Sequence, residues 1–340
     1  MTQKTFKILS IDGGGIKGLY SASILKRFEE KFSCLTSDHF DMICGTSTGG
    51  LIALAISLKI PAGEICDFYT TKGSLIFPKQ KKRKIPFFGT IDYGFLKQIA
   101  KGGKYSDKGL KDALIEIFGN KIIEDCNNLL CIPSYSVTEA KPKVFKYDHR
   151  QGDLSRDNKA PIVDIALATS AAPTYFPLAE SEFYHKEQFI DGGVWANNPT
   201  LIGLLEALNY FVGENKDYNE IEILSLSSLT ITAGKKLGLK RERSFMDWGA
   251  ELFETSMNGQ SHFTDFFLNR ITEIYNIKIK YIRIPSVSIS TDQESIVQLD
   301  VATEEAFNLM KIKAQDQALI YEKRLDIQSL FTTTKTYKVK

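Results

Sequence analysis

Through its first two thirds the chain alternates short apolar runs with longer amphipathic ones, and glycines sit at the breaks. Phe6-Lys7-Ile8-Leu9-Ser10-Ile11 predicts a strand that ends in Asp12-Gly13-Gly14-Gly15-Ile16-Lys17-Gly18-Leu19. A helix is expected next, with Ala22, Leu25, Phe28 and Phe32 on one face. Phe40 to Cys44 reads as a second buried strand, broken by Gly45-Thr46-Ser47-Thr48-Gly49, and Leu51 to Ile56 as an apolar helix. Pro61 opens a helix through Ile65, Phe68 and Tyr69, and another covers Leu110 to Phe118. Strands are expected at Leu129–Val137, Val144-Phe145, Phe189-Ile190 and Ile221–Leu226, with helices over Ile162–Pro173 and through Leu204 and Leu208. This order predicts an α/β fold with a mainly parallel central sheet and helices on both of its faces. Beyond Gly234 helices dominate (Trp248–Met257, Phe263–Tyr275, Glu304–Leu319), with one strand at Ile277–Ile284. The chain therefore divides into a body, residues 1–232, and a mostly helical extension, 233–340, packed on it. The polar tail Thr332–Lys340 is expected to be loose.

Composition narrows the classes. At 340 residues and 43% hydrophobic, the chain can bury a large core. A net charge of +2 gives no argument for a DNA or RNA polymer as partner. Cys34, Cys44, Cys66, Cys126 and Cys131 form neither a C-x-x-C pair nor a ligand cluster, so they read as reduced thiols of a cytoplasmic protein with no bound metal. Met1 to Thr5 has no signal-peptide character. The longest apolar run near the Ser47 turn is roughly half of what a membrane span needs. Any membrane contact is therefore expected to be peripheral. Pro78-Lys79-Gln80-Lys81-Lys82-Arg83-Lys84-Ile85-Pro86-Phe87-Phe88-Gly89 suits such contact, cations to headgroups and phenylalanines to the acyl boundary. The rival reading is a solvated loop whose phenylalanines fold back onto the body.

Three stretches carry candidate chemistry. Gly45-Thr46-Ser47-Thr48-Gly49 fits G-x-S-x-G between a strand and a helix, the nucleophile elbow. Glycine is needed two positions either side of the serine because larger side chains would strike neighbouring backbone. The serine is expected to be strained, its hydroxyl exposed near the positive end of the following helix. Gly13, Gly15 and Gly18 fit G-x-G-x-x-G, a dinucleotide fingerprint, but the second strand ends in Ser47 rather than in an acidic residue. The better reading is a nest of free amides that binds an oxyanion beside Ser47. Of the four histidines, His39, His149, His185 and His262, none follows a strand end as a triad member would. The best acid is Asp191, held by Gly192 and Gly193 and expected at the carboxyl end of a parallel strand. A Ser47–Asp191 dyad follows, with the aspartate as base and its pKa raised by Phe189, Ile190 and Trp195.

These three motifs, in this order, resemble those of the patatin-like phospholipases, over roughly residues 6–230. Ala168-Thr169-Ser170-Ala171-Ala172-Pro173-Thr174-Tyr175-Phe176-Pro177 resembles the family's segment before its D-G-G. The resemblance implies a three-layer α/β/α fold and a lipid acyl hydrolase that needs no metal or cofactor. It implies Ser47 as nucleophile, Asp191 as base, and Gly13, Gly14, Gly15, Lys17 and Gly18 as oxyanion hole. The N-terminal half and the helical C-terminal part are also similar to bacterial members that act as antiphage effectors, switched on by cyclic di- or trinucleotides. Two rival readings stand beside this one, a nucleotide-binding module built on Gly13–Gly18 and a storage-type esterase. Whether the chain forms a homo-oligomer is not legible in the sequence.

Overall fold

The computed structural model describes residues 4–79, 82–85, 89–92, 103–147, 154–229, 238, 241–243, 248, 250–271 and 278–339. In chain order the strands are β1 (Thr5–Ile11), β2 (Met42–Gly45), β3 (Lys82–Ile85), β4 (Gly89–Asp92), β5 (Leu129–Ser136), β6 (Lys141–Tyr147), β7 (Ala179–Ser181), β8 (Glu187–Asp191), β9 (Glu220–Leu226) and β10 (Lys278–Ile284). The helices are α1 (Gly18–Phe32), α2 (Thr48–Ser57), α3 (Ala62–Ile76), α4 (Lys108–Phe118), α5 (Ile162–Ser170), α6 (Gly193–Ala196), α7 (Thr200–Glu206), α8 (Ala250–Ile271), α9 (Glu304–Tyr321) and α10 (Leu325–Thr332). β3 and β4 pair as an antiparallel ribbon. The side chains of that ribbon, with Phe87 and Phe88, lie outside the described residues, and so does the proposed membrane loop they would form.

The other eight strands form one sheet, ordered β10-β9-β1-β2-β5-β8-β7, with β6 also on β5. Period-2 alternation sends its side chains into two separate cores. Leu9 and Ile11 of β1, Ile43 of β2, Leu130 and Ile132 of β5 and Leu224 and Leu226 of β9 face one core, with residues of α1 to α5, α9 and α10. Phe6 and Ile8, Met42 and Cys44, Leu129 and Cys131, and Ile221 and Ile223 face the other, with residues of α7 and α8. Because both faces are covered, the strands read as continuous apolar runs. The result is the three-layer α/β/α fold.

The sheet is more mixed than the pattern predicts. β10, β9, β1, β2 and β5 run parallel. β6, β8 and β7 are antiparallel to their neighbours. The reason is length: residues 137–140 allow a hairpin between β5 and β6 but no crossover. Asp191 therefore does not end a parallel strand. β6 pairs along β5 from Leu130 to Ser136. That leaves one edge of β5 for both β2, which pairs with 129–131, and β8, which pairs with 134–136. β2 runs up that edge and β8 runs down it, so their carboxyl ends face each other.

Two expectations about the C-terminal part need correction. The two helices expected over Trp248–Met257 and Phe263–Tyr275 are one, because α8 runs unbroken from Ala250 to Ile271 through Gly259. A helical glycine costs about 1 kcal/mol, and α8 offsets this by burying Met257, Ser261, Thr264 and Leu268 at helical spacing. The polar tail is not loose. Thr336 and Tyr337 amides donate to Asp41 Oδ1 at 3.0 and 2.7 Å, and the Lys7 amide donates to Oδ2 at 2.8 Å. The Tyr337 ring is buried against Phe211. Residues 233–340 also complete the sheet, since β10 pairs with the full length of β9.

Deleting residues 333–340 should lower stability by about 3 kcal/mol, because it uncovers apolar surface and leaves the buried Asp41 short of donors. Thermal melting would register this as a fall of several degrees. An unchanged midpoint would show that the tail adds nothing.

Candidate active site

Ser47 follows β2 and begins α2 with φ 54° and ψ −126°. Such a conformation costs on the order of 1–3 kcal/mol and needs surrounding contacts to hold it. The turn is tight enough that a Cβ on Gly45 would collide with the Gly49 carbonyl, and one on Gly49 with the Ile11 carbonyl. The Ser47 amide donates to Thr169 Oγ1 at 3.0 Å, and that hydroxyl donates to the Pro133 carbonyl at 2.6 Å. Thr169 thus fills the gap on the β5 edge between the ends of β2 and β8. Thr46 Oγ1 donates to the Ala196 carbonyl, and Thr48 hydrogen-bonds Tyr69. Ser47 itself is buried rather than exposed, at 6% of its free surface.

Asp191 arrives from the opposite direction and is 1% exposed. Its carboxylate accepts the Gly193 amide at 2.7 Å, and the Ser47 hydroxyl lies close enough to favour its charged form. Burial pushes its pKa from 3.8 up to about 7, with the bonds from Ser47 and Gly193 pulling the other way. Gly192 lies so close to the Pro133 carbonyl that a Cβ would strike it.

The glycine loop lies against the elbow. A Cβ on Gly13 would stand 3.2 Å from that of Ser47. Its amides are not equivalent. Gly13 N–H donates to the Asn197 carbonyl at 3.1 Å, Lys17 N–H to the Gly14 carbonyl at 3.2 Å, and Gly18 N–H to the carbonyls of Gly15 and Ile16. Among the described residues, the amides of Gly14 and Gly15 have no protein acceptor. The oxyanion-hole assignment therefore narrows to these two, with Gly15 held at φ 59°. The Lys17 side chain lies behind the loop, buried beside Glu254, where burial lowers its pKa and Glu254 raises it. Gly18, Leu19, Tyr20 and Ser21 are all buried at the start of α1, and Gly15 is capped by the Leu299 carbonyl. This burial at the start of α1, where a dinucleotide pyrophosphate would sit, argues against the nucleotide-binding reading of this loop.

A narrow cleft with about 50 Å³ of free volume leads to the pair, lined by Ile16, Leu51, Phe68, Phe77, Phe176 and Met257 among other apolar residues. Among the described residues no histidine lines it. His39 is buried at the far end of β2 against the Thr333 carbonyl, and His149 lies outside the described residues. No group of acidic, histidine or cysteine side chains that could hold a metal occurs among the described residues. The sequence singled out neither Thr169 as the support of Ser47 nor α8 as a cleft wall. In sequence Thr169 is one of several small residues in a helix, and α8 belongs to a part of the chain without motifs.

The family model described as patatin-like phospholipase matches residues 9–204. A cGAMP-activated phospholipase of Pseudomonas aeruginosa is 30% identical over 316 residues, 92% of this chain and 88% of the relative. Patatin-like protein 2 of Arabidopsis thaliana is 30% identical over 352 residues, 92% of this chain and 82% of the relative. A cGAMP-activated phospholipase of Vibrio cholerae is 34% identical over 247 residues, 68% of this chain and 66% of the relative.

Acyl transfer to Ser47 that uses the Asp191 carboxylate as base should run at full rate above pH 8 and fall as the pH drops through about 7. A rate that stays flat down to about pH 4 would contradict this tuning. The same carboxyl bears on stability. The stabilisation it gives is present below 3.8 and lost as the pH rises through about 7, since the folded form holds its proton longer than the unfolded one. At pH 8 the ionised group costs the fold on the order of 4 kcal/mol. Asp191→Asn should therefore melt several degrees higher than wild type at pH 8, with the gap closing toward pH 4. Equal melting at both pH values would contradict the burial argument.

Proposed function

The chain belongs to the patatin-like phospholipase family, and we propose that it is a serine lipid acyl hydrolase that cleaves acyl esters of membrane phospholipids or lysophospholipids. The observation that carries this reading is Ser47, strained at the elbow, set beside the buried Asp191 carboxylate in an apolar cleft. Asp191 takes the hydroxyl proton as Ser47 Oγ attacks the ester carbonyl. The oxyanion forms against the amides of Gly14 and Gly15, each worth about 3 kcal/mol in comparable sites. Asp191 returns its proton to the leaving alcohol, which leaves an acyl-serine. Water then gives a proton to Asp191 and attacks the acyl carbon, releasing the fatty acid as Ser47 recovers its proton.

No helix among the described residues is long and apolar enough to cross a membrane. The enzyme we propose works from the cytoplasm on a lipid surface that it contacts peripherally. Relatives named cGAMP-activated phospholipases support a finer reading, in which a cyclic di- or trinucleotide switches the hydrolysis on in antiphage defence. A storage-type esterase is disfavoured because storage has no use for a strained serine joined to a buried base.

The decisive assay follows fatty-acid release from phosphatidylglycerol and phosphatidylethanolamine vesicles, with and without a panel of cyclic oligonucleotides. Ser47→Ala should lower the rate by at least about 10⁴-fold. Release only in the presence of a nucleotide would support the gated form, and Ser47-dependent release without one would overturn it. Release that persists in Ser47→Ala would overturn the dyad.

A further inference from the structure

A ring of buried polar contacts behind the glycine loop joins that loop to the C-terminal part of the chain. Asp12, 2% exposed, ends β1 and precedes Gly13. Arg283 of β10 grips its carboxylate with both prongs, Nη1 to Oδ1 at 2.9 Å and Nη2 to Oδ2 at 2.5 Å, while Nη1 also donates to Ser225 Oγ at 2.6 Å. The Ser261 hydroxyl of α8 lies beside this carboxylate and favours its charged form. Ser261 Oγ accepts Asn197 Nδ2 at 3.0 Å. The Asn197 carbonyl accepts the Gly13 amide at 3.1 Å, and Gly13 is bonded to Asp12, which closes the ring.

Every ring member is at least nine-tenths buried or lies in backbone, and Arg283 has 14% of its side chain exposed. Water therefore offers little substitute for a lost bond. The ring fixes the peptide plane of Gly13, one residue before the two unpartnered amides. The Asn197 side chain also blocks the space a Cβ on Gly13 would take, so the loop is held by contact as well as by hydrogen bonds. The first residues of the same helix, Phe253 and Met257, wall the cleft. Seating α8 thus completes both the cleft and the ring.

We propose that Ser261 and Arg283 are positioning residues that aim the Gly14 and Gly15 amides at the oxyanion, acting through Asp12 and Asn197. This rests on the reading of Ser47 as an acyl-transfer nucleophile. It places control of the motif-bearing loop in side chains that belong to none of the motifs. A donor must sit within a few tenths of an ångström of where charge develops, so an error in loop aim weakens the transition state more than the bound substrate.

The test uses a soluble p-nitrophenyl ester, which needs no lipid surface, and a trifluoromethyl ketone, which Ser47 attacks to form a hemiketal oxyanion in the hole. Ser261→Ala should lower kcat at least about 10-fold, weaken ketone binding by a similar factor and leave KM within about two-fold. Ser261→Thr, which keeps the hydroxyl, should restore most of the loss. Arg283→Lys keeps the charge without the two-pronged grip and should show the same signature as Ser261→Ala. It carries the test alone where the alanine chain does not fold. An unchanged kcat in both variants would overturn the proposal. So would losses in kcat that come with a raised KM and are equal in the threonine variant, because they would mark a merely structural role. Wild type without Ser47-dependent hydrolysis would instead overturn the underlying reading of Ser47.

Discussion

One edge of β5 carries two strands end to end, and the geometry of the site depends on that arrangement. β2 pairs with 129–131 and β8 with 134–136 in the opposite direction. The sheet register thus delivers Ser47 and Asp191 to the same place with no flexible loop setting the distance between them. Groups placed by strands and helices hold tighter geometry than groups placed by loops. The gap between the strand ends would leave the Pro133 carbonyl and the Ser47 amide unpaired, and Thr169 Oγ1 joins them. Gly192 packs against that same carbonyl, so the return of the chain past β5 admits no larger residue.

The site works against the stability of the fold that holds it. Ser47 sits in a strained conformation, and Asp191 must ionise in a place that disfavours charge. Both are tolerated because two large cores fix the sheet from either face. The edge of that frame is completed late in the chain. β10 and the tail that anchors on Asp41 close one side of it, so the motif-bearing part depends on residues that carry no motif.

What could be read from the sequence was what local sterics dictate. Gly45 and Gly49 are forced by backbone contacts within the turn itself, so the elbow was visible, and Gly192 marks Asp191 for a similar reason. Apolar runs without alternation announced strands covered on both faces. Direction was not visible, because β8 has the same composition whichever way it runs. The tail misled for a related reason: its side chains are polar, and the groups that hold it are backbone amides meeting an aspartate nearly 300 residues away. Thr169, Asn197, Ser261 and Arg283 act through distant partners, which composition and periodicity do not encode. Ser47 was expected to be exposed because the elbow alone exposes it, and α8, from the unmarked part, covers the site.

That no histidine among the described residues lines the cleft has its own physical logic. A histidine base would leave the resting site neutral and create an ion pair, imidazolium and oxyanion, as the bond forms. In the mechanism we propose, with Asp191 as base, the single negative charge is present from the start and migrates. The carboxylate becomes neutral as it takes the Ser47 proton, and the charge reappears on the oxyanion beside the Gly14 and Gly15 amides. Charge moves without being separated, so a desolvated cleft need not stabilise a new ion pair. What it must do is make the second position better than the first. Burial raises the Asp191 pKa to about 7 and so weakens the starting position. The free amides of Gly14 and Gly15 strengthen the final one. The difference between those two environments supplies the driving force, and it depends on where the loop points.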